Sequence, residues 1–137
     1  MTHRPFICVR DVMKTKFHLV DGLMTVSEAL TLMRDERAKP LIIRKRSPRD
    51  EYGMVLLSDI AFAVLAKDRS PERVNLYEIM TKPVIQVSPD MDVRYCARLF
   101  ERYQLTHAPV VEAGELIGMV SLPRMVLEGL VRPAASD

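Results

Sequence analysis

The sequence is short of aromatic residues, of net charge and of cysteine, and each shortage excludes a class of protein. Only 6% of its 137 residues are aromatic and none is Trp. The 20 Lys and Arg against 18 Asp and Glu leave a net charge of +2, which is too small to indicate nucleic-acid binding. No basic face with interleaved aromatic residues is present either, so we expect no nucleic-acid partner.

Long apolar runs are also absent. No apolar segment approaches the roughly 20 residues that cross a bilayer. The apolar run near the beginning, Phe6–Val9, has four residues and does not resemble a signal peptide. The two cysteines, Cys8 and Cys96, lack metal-ligand spacing. We therefore expect reduced thiols in a cytoplasmic protein, with Cys96 in the core.

The residue patterns that support catalysis are missing as well. No nucleophile stands beside a plausible base, and neither a glycine-rich phosphate loop nor a carboxylate pair that spacing places in one cleft is found. The histidines His18 and His107 have no metal-ligand spacing and are predicted to be structural or surface residues. We expect a protein that is not an enzyme and has no obligatory cofactor or metal.

What the sequence does contain is an internal repeat. The triplet Gly53-Met54-Val55 recurs 65 residues later as Gly118-Met119-Val120. Two helix patterns with apolar residues at i, i+3, i+4 and i+7 recur at a spacing of 67 residues; they are Val26, Ala29, Leu30 and Met33, and Val93, Cys96, Ala97 and Phe100. Both spacings indicate a duplication in which the first copy is two residues longer between helix and glycine strand.

Each copy is predicted to contain a helical turn, a strand, a helix, two strands and a final helix. The helical turns are Arg10–Met13 and Leu76–Met80, and the first strands are Phe17–Val20 and Ile85–Val87. The first long helices begin after Thr25, where Glu28 completes a capping box, and after Asp92. The paired strands are Leu41–Ile43 with Tyr52–Leu57, and Pro109–Val111 with Leu116–Val120 across an Ala113-Gly114 turn. The last helices run from Ser58 to about Ala66, and from a cap at Ser121 or Leu122 to Gly129–Pro133.

These elements predict an α/β (α+β) fold of two related halves. We divide the chain into repeat 1 with an N-terminal arm (1–66), a linker (67–75), repeat 2 (76–132) and a tail (133–137). A single copy of about 60 residues would expose one face of its sheet, so we expect the copies to pack sheet to sheet.

The repeated pattern resembles the cystathionine-β-synthase (CBS) domain family. The second copy carries it best; its motif runs Ile79-Met80, Val93, Cys96-Ala97, Phe100, Pro109-Val110-Val111 and Gly118-Met119-Val120-Ser121. The first copy matches through Val12-Met13, Gly53-Met54-Val55 and Asp59. From about Val9 to Leu130 the chain is similar to a stand-alone tandem CBS pair, or Bateman module.

The resemblance implies a pseudo-twofold pair of β-α-β-β-α repeats, often doubled into a homodimer. It also implies adenosine-type ligands (AMP, ADP, ATP or S-adenosylmethionine) in clefts between the repeats. In the family motif, a Thr or Ser after the glycine strand contacts phosphate, and an Asp three residues later accepts from the ribose hydroxyls. The family is regulatory, so the resemblance also implies an effector protein, whose identity is unknown.

Each copy of this chain departs from that motif at one position. Leu56 replaces the hydroxyl in repeat 1, which keeps Asp59, and Arg124 replaces the carboxylate in repeat 2, which keeps Ser121. Arg124 has no acceptor for ribose hydroxyls, but in the first turn of a helix it and the free N–H groups can share an anion. We therefore expect phosphate near Ser121 and Arg124, and a neutral sugar or nothing near Asp59.

The walls of both pockets are implied by the resemblance as well. For the second copy they are Lys82, Pro83, Val84 and Ile85 with His107, Ala108 and Pro109, and for the first Lys16, Phe17 and His18 with Ala38, Lys39 and Pro40. The first hypothesis is a regulatory sensor of an adenosine-type ligand. The alternative is a ligand-free dimerisation and docking module, which the erosion of both motifs favours. A third and weaker hypothesis is nucleic-acid association through the basic residues Arg44, Lys45, Arg46 and Arg49, which the missing aromatic residues disfavour.

Overall fold

The computed structural model describes residues 6–35 and 37–130. The short helices and turns are α1 (Val9–Val12), α3 (Leu57–Ile60), a π-helical turn (Ala61–Leu65) and two 3₁₀ turns (Pro71–Arg73 and Leu76–Glu78). The longer helices are α2 (Val26–Asp35), α4 (Val93–Tyr103) and α5 (Leu122–Leu130). The strands are β1 (His18–Val20), β2 (Leu41–Ile43), β3 (Gly53–Val55), β4 (His107–Glu112) and β5 (Glu115–Ser121).

The chain folds into two spatial units. One is continuous and spans residues 17–84, and the other, here the composite unit, joins residues 6–16 with residues 85–130. Helix α1 therefore belongs to the composite unit, where Val9 N donates to Met91 O at 2.8 Å. Likewise Leu76 belongs to the 17–84 unit, where its N–H donates to Met24 O at 2.8 Å. The predicted division of the sequence into repeats that end at residue 66 and begin at residue 76 stays a prediction. The spatial units divide elsewhere, between residues 16 and 17 and between residues 84 and 85.

In the 17–84 unit, three strands form a sheet in the order β1-β2-β3. Strands β1 and β2 are parallel, with His18 beside Leu41, and β2 and β3 are antiparallel, with Leu41 opposite Val55. All three residues of β2 are buried. The apolar side of α2 covers this sheet through Val26, Ala29 and Met33, and the predicted capping box is confirmed by Glu28 N donating to Thr25 Oγ1 at 3.1 Å.

In the composite unit, β4 and β5 form an antiparallel hairpin. Ala113 and Gly114 form its turn with φ of 52° and 81°, which confirms the predicted turn. Asp92 begins α4 by accepting from Arg94 N at 2.8 Å, as predicted. Val93, Cys96 and Phe100 are buried on one side of α4.

Three sequence predictions were wrong in detail. The predicted strand Ile85–Val87 makes only a single parallel bridge, Val87 to Val110, because Pro109 has no N–H to donate to the next position of the ladder. The strand predicted over Tyr52–Leu57 ends at Val55. Ala97, predicted to be buried, is exposed. The buried side of α4 consists of Val93, Cys96 and Phe100 and does not extend to Ala97.

The beginning of the first short helix is also corrected. Leu56, not Ser58, is the N-cap of α3, and the Asp59 carboxylate at the third helical position accepts from Leu56 N at 2.7 Å. That bond satisfies one of the free N–H groups at the helix start, which is why the helix begins one residue before Ser58. The predicted tail 133–137 and the end of the last helix beyond Leu130 lie outside the described residues.

Candidate ligand-binding edges

The predicted phosphate contact of repeat 2 lies where β5 continues directly into α5. Ser121 is the last residue of β5 and Leu122 the first of the nine-residue helix. Ser121 Oγ accepts from Arg124 N at 3.4 Å, which confirms a capping role for Ser121. The sheet register places His107 directly opposite Ser121. Since opposite residues of an antiparallel pair face the same side, the imidazole and the hydroxyl share one side of the hairpin.

The guanidinium of Arg124 is held in place by protein groups. Its Nε donates to Val12 O at 3.1 Å, and its Nη1 lies 3.6 Å from Glu128 Oε2. The side chain keeps 33% of its exposure. A guanidinium has five N–H donors, so bonds to Val12 and Glu128 leave donors for an anion.

The backbone at the start of α5 has fewer free N–H groups for an anion than the sequence predicted. Leu122 N already donates to Thr106 O at 3.1 Å, Pro123 has no N–H, and Arg124 N faces Ser121 Oγ. The expectation that several free N–H groups would share an anion with Arg124 is therefore wrong for these three positions. The positive charge at this edge comes mainly from the Arg124 side chain.

His107 adds a neutral group to the same edge. It is half-buried, and burial lowers the pKa of its imidazole, so the uncharged ring is favoured at neutral pH. Thr106 Oγ1 lies 3.0 Å from His107 Nδ1. Thr106 was not predicted as a site residue, although its hydroxyl beside His107 is visible in the sequence. Ala108 and Pro109, predicted as pocket wall, are both buried in the hairpin.

The repeat 1 residue Asp59 is partly committed to its own helix. One carboxylate oxygen caps α3 through Leu56 N, which leaves the other oxygen for a ligand hydroxyl. Leu56 is half-buried and offers phosphate no hydrogen bond, as predicted from its side chain.

The predicted wall residues are divided between the two spatial units. Asp59, Phe17, His18, Lys39 and the stretch Lys82–Val84 belong to the 17–84 unit, and Lys16 and Ile85 belong to the composite unit. Of these, Val84 is buried, Phe17, His18, Lys39, Lys82 and Ile85 are half-buried, and Lys16 and Pro83 are exposed. Among the prolines of the described residues, Pro83 follows a cis peptide bond.

Lys82 has a specific partner that the sequence did not predict. Its Nζ lies 2.6 Å from Asp50 Oδ1. No short motif links residues 32 positions apart, so only the fold could reveal this pair. Asp50 also accepts from Arg46 N at 2.8 Å, and these contacts, led by Lys82, hold the pKa of Asp50 well below its usual range.

Within residues 6–35 and 37–130, no cluster of three or more His, Cys, Asp or Glu side chains is arranged to hold a metal ion. None of the helices in that part of the chain combines the length and apolarity needed to cross a membrane.

Comparison with known proteins identifies the repeated unit. The CBS domain model matches residues 9–66 and again residues 76–126. The CBS domain-containing protein YhcV of Bacillus subtilis is 24% identical over 129 residues, covering 94% of this chain and 90% of its own length. A hexameric CBS-CP12 protein from bloom-forming cyanobacteria is 30% identical with a TM-score of 0.87, covering 94% of this chain and 72% of that one.

A third structure is the CBS domain pair of protein MJ0100, solved in complex with 5′-methylthioadenosine and S-adenosyl-L-methionine. It is 24% identical with a TM-score of 0.76, covering 88% of this chain and 94% of that one. The two family matches, the repeated glycine strands and the shared fold agree. This chain belongs to the CBS domain family and is a tandem CBS pair.

Proposed function

We propose that this CBS pair is a regulatory module that binds an adenosine-type ligand carrying phosphate, with Ser121 and Arg124 at the phosphate. The observation that carries the proposal is the juxtaposition of the Ser121 hydroxyl, the first turn of α5 and a guanidinium held by Val12 O. A hydroxyl and a guanidinium both donate to phosphate oxygens, and the helix start adds a favourable dipole.

The choice of an adenosine compound draws on the family. The related pair of protein MJ0100 holds two adenosine compounds, 5′-methylthioadenosine and S-adenosylmethionine. Arg124 in place of the ribose-binding carboxylate favours AMP, ADP or ATP over those uncharged or cationic compounds, because it can pair with phosphate. Regulation then requires that the ligand bind one conformation of the CBS pair more tightly than another. The resulting shift in conformation would be detected by an effector protein.

A thermal-shift series tests this function. The purified protein is heated with AMP, ADP, ATP, S-adenosylmethionine or NADH, each over a range of concentrations. A ligand at 100 times its dissociation constant adds about 2.7 kcal/mol to the free energy of unfolding. We expect a selective upward shift with one of the phosphate-bearing compounds. A flat response to all five would rule out the sensor function.

A ligand-free module for dimerisation or docking is the second candidate, and exposed apolar side chains favour it. On α5, Val126, Leu127 and Leu130 keep 49%, 59% and 61% of their exposure. In the π-helical turn, Phe62 and Leu65 keep 71% and 78%. Apolar side chains grouped this way indicate protein contacts. Sedimentation of wild type and Leu127→Glu decides it: a homodimer that the variant disrupts, together with flat thermal shifts, would establish this candidate.

A further inference from the structure

Repeat 1 contains a basic segment with no counterpart in repeat 2. Residues 44–52, here the basic loop, connect β2 to β3 and include four cations, Arg44, Lys45, Arg46 and Arg49. In repeat 2 the corresponding strands are joined by a tight turn at Ala113 and Gly114, between Glu112 and Glu115. The duplication therefore does not account for the loop or for its charge.

The basic loop is held in a defined conformation by one carboxylate. Asp50 N donates to Ser47 O at 3.0 Å, and Asp50 Oδ2 accepts from Arg46 N at 2.8 Å. The other oxygen, Oδ1, lies 2.6 Å from Lys82 Nζ. Asp50 is thus paired with Lys82 and with backbone donors and makes no contact with an arginine guanidinium among the residues that the structure describes. The four cations of the loop stand against two carboxylates, Asp50 and Glu51.

The four cations divide into two that are engaged and two that are not. Arg44 Nη2 donates to Leu19 O at 3.2 Å, and Lys45 Nζ lies 4.8 Å from the centre of the Tyr52 ring. The guanidinium groups of Arg46 and Arg49 make no ion pair or hydrogen bond with any residue in the described part of the chain. Both are exposed, and with Ser47 and Asp50 they line an open cavity of about 430 Å³.

We propose that the basic loop binds an acidic segment of a partner protein, with Arg46 and Arg49 pairing to its carboxylates. A guanidinium pairs with a carboxylate through two parallel N–H bonds, so two arginines that line the same cavity can select two acidic side chains. The site goes beyond the proposed ligand site, and its occupation does not depend on a bound nucleotide.

The loop fits an acidic peptide better than a nucleic acid. Binding of single strands without sequence preference relies on exposed aromatic rings that stack on bases. The aromatic residue at the end of the loop, Tyr52, keeps only 7% of its exposure, and Lys45 covers its ring. The cations are also confined to six consecutive positions, which suits a short acidic segment rather than a long phosphate backbone.

The experiment measures the fluorescence anisotropy of a labelled octaglutamate peptide titrated with the full chain at low ionic strength, without nucleotide. We expect Arg46→Gln/Arg49→Gln to raise the dissociation constant by about tenfold or more, since two charge-assisted contacts are lost. The matched control is Arg98→Gln/Arg102→Gln on α4, which removes the same charge from exposed arginines and should change the constant less than about threefold. Circular dichroism verifies that each variant is folded.

Several results would overturn the proposal. Equal weakening by the two double variants would mean that binding depends on net charge alone, and a wild type that does not bind the peptide would exclude the site. An eight-nucleotide single-stranded DNA that binds more tightly than the peptide, and loses affinity in the same loop variant, would assign the loop to nucleic acid. Arg46→Lys/Arg49→Lys keeps the charge but cannot form two parallel bonds to a carboxylate, so it should lose part of the affinity for the peptide. An unchanged dissociation constant would contradict the paired geometry.

Discussion

Lys82 Nζ lies 2.6 Å from Asp50 Oδ1, and this ion pair connects a residue of the predicted ligand wall to the basic loop. Both side chains are partly shielded, with exposures of 25% and 19%. Asp50 therefore already occupies the ammonium group of Lys82. The pair fixes the basic loop to a residue beyond β3 within the 17–84 unit.

The first prediction concerns the pH dependence of this pair. The pKa of Asp50 is lowered in the folded state, so its stabilising contribution is fully present above the unfolded value of about 3.9 and is lost as the pH falls below that value toward the lower folded pKa. Asp50→Asn should therefore be less stable than wild type at pH 7, with the difference shrinking progressively below about pH 4. Urea unfolding across pH 7 to 2.5 measures it.

Asp90→Asn is the control for that measurement. Asp90 keeps 79% of its exposure and lies 3.6 Å from Arg10 Nη2, so its removal should change the stability little. Glu28, Glu78 and Asp92 also have lowered pKa values. Because these residues are present in the wild type and in Asp50→Asn alike, their contributions cancel in the stability difference between the two. A difference that is independent of pH would show that Asp50 acts through packing rather than charge.

The second prediction tests the core of the composite unit. Phe100 keeps 1% of its exposure, so Phe100→Ala should lower the free energy of unfolding by roughly 3–5 kcal/mol. Tyr103, one turn later on α4, keeps 50%, and Tyr103→Ala should cost less than about 1 kcal/mol. Denaturant unfolding compares the two, and a similar cost for both would contradict the observed orientation of α4.

The third prediction uses the duplicated glycines as a matched pair. A Cβ at Gly118 would lie 2.8 Å from Lys14 O, a backbone atom that also accepts from Met119 N at 2.9 Å. A Cβ at Gly53 would lie 2.6 Å from Met80 Sδ, in a side chain that can rotate away. Gly118→Ala should therefore destabilise by about 1–3 kcal/mol and Gly53→Ala by less. Thermal unfolding decides the order, and the opposite order would contradict the stated contacts.

The fold was largely predictable because the same local patterns occur in both copies of the repeat. Two helices with the same apolar spacing, two glycine strands and a Thr25–Glu28 capping box are local patterns that determine which residues face the core. The predictions failed where a single residue changes the hydrogen bonding. Pro109 limits the ladder beside Val87, and Asp59 starts a helix before Ser58.

The site was less predictable because its contacts join residues far apart in the sequence. Arg124 in the first turn of α5 and Ser121 as its cap follow from local spacing. The contacts of Arg124 with Val12 O and of Lys82 with Asp50 depend on how distant segments pack, and no periodicity records them. The use of Leu122 N by Thr106 O is likewise a tertiary contact, and it reduces the backbone donors available to a ligand.

The last prediction separates phosphate recognition from nucleoside recognition. If Arg124 donates a charge-assisted hydrogen bond to phosphate, Arg124→Ala should weaken AMP binding by about 1.5–3 kcal/mol, or roughly 10- to 150-fold. Adenosine lacks the phosphate, so its dissociation constant should not change. Isothermal titration with both compounds measures the difference.

Glu128 supplies an internal control for the same contact. Its Oε2 lies 3.6 Å from Arg124 Nη1, so it competes with an incoming anion for the guanidinium. Glu128→Gln removes that competitor and should leave AMP binding unchanged or strengthen it. If the ion pair instead shapes the binding edge, the same variant should bind both AMP and adenosine more weakly. Equal losses for both compounds in Arg124→Ala would likewise assign Arg124 to holding α5 against Val12 O, and the phosphate contact would have to be sought elsewhere.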